Sequence, residues 1–194
     1  MNKGPIFLSA SVPERELDRF VPDPVAIREA VRALVAETVR DRMLVFGGHP
    51  AISPLVEHAA RDLHATDNVI IYQSMYFEKK IPDVAKKFRN LRWTPADPAG
   101  RDASLTLMRT QMIHSTPFEA AVFIGGMDGL FEEWTIFTSR YPDAPAFPVA
   151  STEGAARIIW TNWNPRKLPN TVADLRTRLD QDLQYRILFR DILS

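Results

Sequence analysis

The stretch IGGMDGLFEEW, residues 124–134, places chemically useful residues where an apolar strand pattern gives way to a helical one. Gly125 and Gly126 follow the apolar run AAVFI, and Gly129 follows a two-residue spacer. Glycines at such a turn remove the β-carbons that would keep a phosphate or a ribose from the backbone N–H groups at a helix N-terminus. Glu133, one turn later, could accept hydrogen bonds from ribose hydroxyls, or stabilise an oxocarbenium ion and activate water. The same residues would serve binding or catalysis.

Each of these residues also has a purely structural interpretation. Glu132 and Glu133 would complement the positive end of a helix, which stabilises it by about 0.3 to 1 kcal/mol per carboxylate at low salt. Gly125 and Gly126 could merely turn the chain. Arg109, in LMRTQM, could lie on a solvated helix face. These readings stay open at the level of sequence.

Six short apolar runs, separated by helical patterns, predict the elements that position these residues. Several runs are almost continuously apolar, as expected of strands buried on both faces of a parallel sheet. Helices are predicted from Asp23–Pro24 onward, from Ser53 to His64, and over ASLTLMRTQMI. The alternation indicates an α/β fold with a doubly wound, mainly parallel sheet and helices on both faces. The predicted strands are 5–11, 44–48, 68–74, 91–95, 120–126 and 145–151.

Small and polar residues gather after these strands, at the edge where open α/β sheets bind ligands. Gly47 and Gly48 form a second glycine pair, and two such pairs in one sheet favour a ligand site over simple turns. The candidate ligand-binding residues are Ser9, Ser11, Gly47, Gly48, His49, Gln73, Ser74, Gly125, Gly126, Met127, Asp128, Gly129, Glu133 and Thr152.

The composition and the missing motifs exclude several classes of protein. Lysine plus arginine and aspartate plus glutamate both total 24, so the basic field of a nucleic-acid binder is missing. The chain has no cysteine, and its four histidines lack metal-site spacing, so neither a metal nor a cofactor is expected. A P-loop, a G-x-G-x-x-G fingerprint and a G-x-S-x-G elbow are all absent, which disfavours dehydrogenase and serine-hydrolase chemistry. No apolar stretch reaches the roughly 20 residues of a membrane span, so a cytoplasmic protein without a membrane partner is predicted.

The length predicts one domain over residues 1–194, with residues 165–194 as a C-terminal helical extension. Apolar residues in this extension recur at helical spacing and form one stripe. We expect the stripe to pack back on the domain, with a dimer seam as the alternative. The stripe consists of Val172, Leu175, Leu179, Leu183 and Ile187.

The order of an arginine, a glycine pair, a third glycine and a glutamate resembles the Lonely Guy nucleotide phosphoribohydrolases, whose motif is P-G-G-x-G-T-x-x-E. Gly125 and Gly126 match the glycine pair, and Glu133 matches the glutamate. Gly129 matches the third glycine after one extra residue, and Arg109 stands where these enzymes place a functional arginine.

The match departs from the enzyme motif at some positions. Ile124 replaces the motif's proline and Leu130 its threonine, while His49 and Pro50 replace a glycine expected after Gly48. The stretches IFLSAS, LVFGGHPAISP and IIYQS look most like the cluster 3 branch of the SLOG superfamily. That superfamily joins the Lonely Guy enzymes to DprA-like and bacterial immunity domains.

The resemblance implies a Rossmann-like fold and a nucleotide-type ligand. With the glycine scaffold intact and the enzyme-type proline and threonine missing, the first hypothesis is a sensor of an NAD-derived or other ribose-phosphate nucleotide, as in bacterial antiphage immunity. The alternative is a phosphoribohydrolase that cleaves the N-glycosidic bond of nucleoside 5'-monophosphates, with Glu133 and Arg109 as catalytic residues. A third possibility is a scaffold subunit for an effector protein. The resemblance also implies a homo-oligomer, most simply a dimer.

Overall fold

A six-stranded parallel sheet organises the protein, in a computed structural model that describes residues 3–12, 21, 23–164 and 174–194. The strand order is β4-β3-β2-β1-β5-β6, and every neighbouring pair runs parallel. The predicted α/β, Rossmann-like sheet is therefore confirmed. The strands are β1 (Ile6–Ser11), β2 (Leu44–Gly47), β3 (Val69–Ser74), β4 (Asn90–Thr94), β5 (Ala120–Gly125) and β6 (Ala146–Val149).

Helices cover both faces of the sheet, as predicted. Within the described stretch 75–89, the connection from β3 to β4 consists of short 3-10 turns instead of an α-helix. Of the helices in the described part of the chain, none is both long and apolar enough to cross a membrane. The α-helices are α1 (Pro24–Thr38), α2 (Ser53–Asp62), α3 (Arg101–Ile113), α4 (Asp128–Arg140), α5 (Gly154–Thr161), α6 (Leu175–Gln181) and α7 (Tyr185–Ile192).

The apolar strands are buried because alternate side chains enter two separate cores. Ile6 and Leu8 of β1 pack with α1 in one core, while Phe7 between them points into the other. There Phe7 stacks on Phe137 of α4, with ring centroids 5.7 Å apart and ring planes 9° apart. Burying such a side chain contributes about 1.5 to 3 kcal/mol. This packing fixes α4 against β1.

The strand order reverses between β1 and β5, which are neighbours although more than a hundred residues separate them. Their pairing runs in register from Ile6 opposite Ala120 to Ser11 opposite Gly125. Helices leave the two strands in opposite directions at such a switch point, and their divergence opens a crevice at the carboxyl ends. The fold therefore puts the end of β1 beside the turn that follows β5.

The C-terminal segment differs from the predicted continuous stripe. Asp182 has extended backbone angles and separates α6 from α7, so the helical phase restarts. As a result Leu183 is 70% exposed and Ile187 is 40% exposed, and the single-stripe prediction is wrong for both. Val172 lies outside the described residues. The buried residues of α6 and α7 are Leu175, Leu179, Tyr185, Leu188, Phe189 and Ile192.

Two strand-end glycines provide a prediction about stability. Gly125 has φ +59°, where an L side chain is strained, and a β-carbon there would clash with Ile27 and lie 3.1 Å from the Ser11 carbonyl oxygen. A β-carbon on Gly47 would meet nothing nearer than 3.5 Å. We expect Gly125→Ala to lower the free energy of unfolding by at least about 1 to 2 kcal/mol. The matched Gly47→Ala should change it by less than about 0.5 kcal/mol.

Urea denaturation of both variants measures these differences. Equal stability of the two variants would show that the left-handed turn after β5 is not required for folding.

Candidate functional site

A cleft of about 490 Å³ lies at the switch point, above the carboxyl ends of β1, β2 and β5. It is bounded on one side by α3 and on the other by the start of α4. Most of the predicted site residues meet here, although they come from distant parts of the chain. Those that line the cleft are Ser9, Ser11, Gly47, Gly48, His49, Arg109, Met127, Asp128, Gly129 and Glu133.

Glu133 is the centre of the polar contacts in this cleft. The Ser9 hydroxyl donates a hydrogen bond to Glu133 Oε2. Arg109 Nε lies 3.6 Å from Glu133 Oε1, and Arg109 Nη1 donates to Glu132 Oε2. The side chains of Glu133 and Arg109 are only 14% and 13% exposed, whereas that of Glu132 is 50% exposed. One guanidinium therefore serves two carboxylates, one buried and one at the surface.

Local periodicity explains why Ser9 and Glu133 meet. Residues two apart on a strand share a face, and so do residues four apart on a helix. Phe7 and Ser9 are two apart on β1, and Glu133 and Phe137 are four apart on α4. The stack of Phe7 on Phe137 thus brings Ser9 and Glu133 together one layer above it.

Burial controls the acidity of Glu133. Removal from water raises the pKa of this carboxyl above its ordinary value, and repulsion from Glu132 adds to the increase. The positive charge of Arg109 and the Ser9 hydrogen bond act in the opposite direction but do not cancel the effect of burial. Such an environment suits a proton-transferring carboxyl as well as a hydrogen-bond acceptor.

Gly129 makes room for the arginine. It lies in the first turn of α4, and a β-carbon at this position would come within 2.5 Å of Arg109 Nη2. The guanidinium therefore lies against the backbone of Gly129. Its Nε is buried and has no hydrogen-bond partner among the described residues.

Gly125 and Gly126 do not form the phosphate-binding turn that the sequence predicts. Gly125 N–H donates to Thr152 Oγ1 at 2.8 Å, and Gly126 N–H donates to the Ser11 carbonyl oxygen at 2.9 Å. Both glycines have positive φ angles, 59° and 84°. This corrects the expectation that their N–H groups face a ligand, because both donors are used inside the protein. Thr152 is itself fully buried and does not border the cleft.

The part of the turn that borders the cleft is the N-terminus of α4. Met127 is the N-cap residue, and its side chain makes no cap hydrogen bond. Met127, Asp128 and Gly129 all line the cleft. The helix dipole places partial positive charge there, which favours an anion.

The predicted residues after β2 and β3 divide into surface and interior positions. His49 turns the chain into α2: its Nδ1 accepts from Ala51 N–H at 3.2 Å. Gln73 lines an adjoining cavity of about 620 Å³. Ser74 is fully buried, where its hydroxyl accepts from Tyr76 N–H at 3.3 Å and starts the following 3-10 turn.

Comparison with known proteins identifies the family. The model of the SLOG cluster3 family matches residues 20–193. The chain belongs to this family. The X-ray structure of the structural-genomics target TM1055 superposes with a TM-score of 0.60 at 14% sequence identity, over 91% of this chain and 89% of that one, which shows a shared fold. No curated protein matches the sequence.

Family membership makes this chain a nucleotide-related SLOG domain and confirms the resemblance found in the sequence. Several residues of the SLOG cleft were missed by the sequence reasoning. Leu105 lies four residues before Arg109 on α3, and Met108 lies three residues after Leu105, so helical spacing from Arg109 to Leu105 and on to Met108 could have found them. Among the described residues, no group of His, Asp or Glu side chains is arranged to hold a metal ion.

The raised pKa of Glu133 gives a prediction about pH. The native SLOG domain keeps this proton at pH values where the unfolded chain, with an ordinary value of 4.5, has released it. The contribution of Glu133 to stability is therefore fully present below pH 4.5 and is lost as pH rises through the higher native pKa. The free energy of unfolding of the wild type minus that of Glu133→Gln should fall as pH rises.

Urea denaturation of both proteins between about pH 4 and pH 8 measures this difference. The effects of the other titrating groups on stability are shared by the two proteins and cancel. A difference that stays constant or rises with pH would contradict the assigned effect of burial.

Proposed function

We propose that this SLOG domain is a nucleotide sensor that binds an NAD-derived or other ribose-phosphate nucleotide in the cleft at the switch point. The observation that carries the proposal is the group of Ser9, Arg109 and Glu133 in that cleft. A buried carboxylate, a cation and a helix N-terminus are the groups needed for ribose hydroxyls and a phosphate.

Each group has a defined task in the bound state. Glu133 lines the cleft and offers its carboxylate oxygens to ribose hydroxyls. Arg109 binds the phosphate together with the N-terminus of α4. Arg109 Nη1 is held by the half-exposed Glu132, so the phosphate takes the place of that carboxylate. Glu132 is half-exposed and returns to water when the phosphate replaces it, which limits the cost of the exchange although Arg109 itself is mostly buried.

A phosphoribohydrolase is the rival function, and one observation favours it. Burial raises the pKa of Glu133, as expected for a carboxyl that transfers protons at neutral pH. Binding remains the better-supported function because the chain lacks the proline and threonine of the Lonely Guy motif, at Ile124 and Leu130.

The first functional prediction concerns Arg109→Ala. Removing the charge-assisted hydrogen bonds should weaken the binding of AMP or ADP-ribose by about 10- to 150-fold. The binding that remains should depend less on salt than that of the wild type, because a phosphate contact is lost. Calorimetric titration measures both effects, after circular dichroism has shown that the variant folds. Arg92→Ala, on the exposed edge strand β4, is the matched control and should bind like the wild type.

Chromatography of the same mixtures separates sensor from hydrolase. Intact nucleotide after long incubation agrees with a sensor. Release of free base that disappears in Glu133→Gln would replace the sensor with a hydrolase. If neither AMP, ADP-ribose nor NAD binds at millimolar concentration, the scaffold subunit for an effector partner becomes the better proposal.

We further propose that the domain works as a homodimer, in the setting of bacterial antiphage immunity. Exposed apolar side chains support the dimer. Leu183 and Ile187 border a shallow cavity of about 320 Å³ together with Glu29 and Ala33 of α1. Large exposed apolar residues side by side are typical of surfaces that another protein covers.

Light scattering at micromolar concentration should give twice the 22.0 kDa of one chain. Replacing Leu183 and Ile187 together by glutamate should give the mass of one chain, because charges would enter the apolar contact. The matched control replaces Met75 and Tyr76 together by glutamate. These residues are similarly exposed but lie outside the C-terminal segment, so the control should keep the mass of two chains. A wild-type mass of one chain would refute the dimer.

A further inference from the structure

A second cavity, of about 620 Å³, continues the Glu133 cleft beyond the ends of β2 and β3, and we call it the annex. The annex adjoins the cleft, because the two cavities share six lining residues. These are Gly48, His49, Arg101, Leu105, Met108 and Met127. A molecule held by Glu133 and Arg109 could therefore extend into the annex.

The annex has mostly apolar walls. Phe77 and Ile81, from the segment between β3 and β4, line the annex together with Leu105 and Met108 of α3. Met127 lies where the annex opens into the cleft. Methionine and aromatic side chains pack well against flat aromatic rings. No acidic side chain lines the annex within the described part of the chain.

Gln73 lines the annex and provides a side-chain amide there. Gln73 is only 5% exposed as a residue, and no hydrogen bond joins its amide to another described residue. The amide is not sealed inside the protein, since Gln73 lines the annex, and it is accessible to a ligand there. An amide offers one acceptor and two donors, which a ligand with an adjacent donor and acceptor would satisfy together.

Gly48 is what allows Gln73 to lie there. A β-carbon on Gly48 would clash with the amide nitrogen and come within 2.6 Å of Gln73 Cδ. The backbone of Gly48 does not have a positive φ, so the glycine is needed for space and not for the turn. The absence of a side chain at Gly48 therefore lets the amide of Gln73 face the annex.

We infer that the annex binds the base of the nucleotide, a planar heterocycle with the adjacent donor and acceptor of adenine, which Gln73 recognises with both ends of its amide. Adenine presents its amino group beside a ring nitrogen, and glutamine matches this pattern with two hydrogen bonds. The direction of the ribose phosphate, toward Glu133 and Arg109, rests on the proposed function. The base site itself rests on Gln73 and the walls of the annex.

Calorimetric titration with adenosine, ribose 5-phosphate, AMP and inosine 5'-monophosphate tests this inference. The wild type should bind AMP at least about tenfold more tightly than ribose 5-phosphate and more tightly than inosine 5'-monophosphate. Gln73→Leu, of similar size, should weaken adenosine and AMP by about tenfold or more and leave ribose 5-phosphate within about twofold. Gln111→Leu, exposed on α3, is the matched control and should bind every probe like the wild type.

Gly48→Ala provides a second route, because its β-carbon must displace the amide of Gln73. It should reproduce the loss of adenosine binding, which keeps the test valid if Gln73→Leu fails to fold.

Each further outcome decides between the two proposals. Equal binding of AMP and ribose 5-phosphate, or adenosine binding unaffected by Gln73→Leu and Gly48→Ala, would overturn the base site and leave the nucleotide sensor standing. Adenosine binding that depends on Gln73, without any binding of ribose 5-phosphate, would support the annex and remove the proposed role of Arg109. Failure of all four probes to bind would overturn the base site, and titration with ADP-ribose and NAD would then decide the nucleotide sensor separately.

Discussion

The stack between Phe7 and Phe137 is the contact on which the site depends. It belongs to a buried aromatic cluster that also includes Phe118 and Phe123, and each such side chain contributes about 1.5 to 3 kcal/mol on burial. A single hydrogen bond to a charged group contributes as much as one of these side chains, about 1.5 to 3 kcal/mol, and therefore less than the cluster as a whole. The aromatic cluster therefore positions α4, and the bond between Ser9 and Glu133 is a consequence of that position.

The buried carboxylate creates an electrostatic imbalance that a ligand can use. Glu132 and Glu133 share the single cation of Arg109, and burial disfavours the charged form of Glu133. Glu132 is the member that can leave, because it is half-exposed and regains water when it does. Glu133 cannot leave in the same way, since it lies on the buried face of α4 and accepts a hydrogen bond from Ser9 of β1. An anion that replaces Glu132 thus keeps Arg109 compensated while Glu133 stays in place for hydrogen bonding.

Patterns within single elements could be predicted from the sequence, and contacts between distant elements could not. Continuous apolar runs led correctly to a parallel sheet, and the strand-end rule brought Ser9 and Glu133 into one cleft. Arg109 of the same cleft was found through the resemblance to the Lonely Guy enzymes. The partners of the glycine N–H groups come from Ser11 and Thr152, on other strand ends, so local reasoning left those donors open to a ligand. The break at Asp182 was missed for a related reason: the apolar spacing of the C-terminal segment suits one helix, and packing selected two.

Four glycines around the site fall into two groups, and each group requires glycine for a different physical reason. Gly125 and Gly126 need positive φ angles and hold three strand ends together. Gly48 and Gly129 have ordinary backbones and instead leave room for Gln73 and Arg109. A site in which glycines bring the backbone to the ligand recognises mainly the phosphate, whatever is attached to it. Here two glycines make room for side chains, the amide of Gln73 in the annex and the guanidinium of Arg109 in the cleft. Because side chains distinguish donor from acceptor patterns, the proposed nucleotide site would select the base as well as the phosphate, and an exchange of one side chain could change the base without altering the turn.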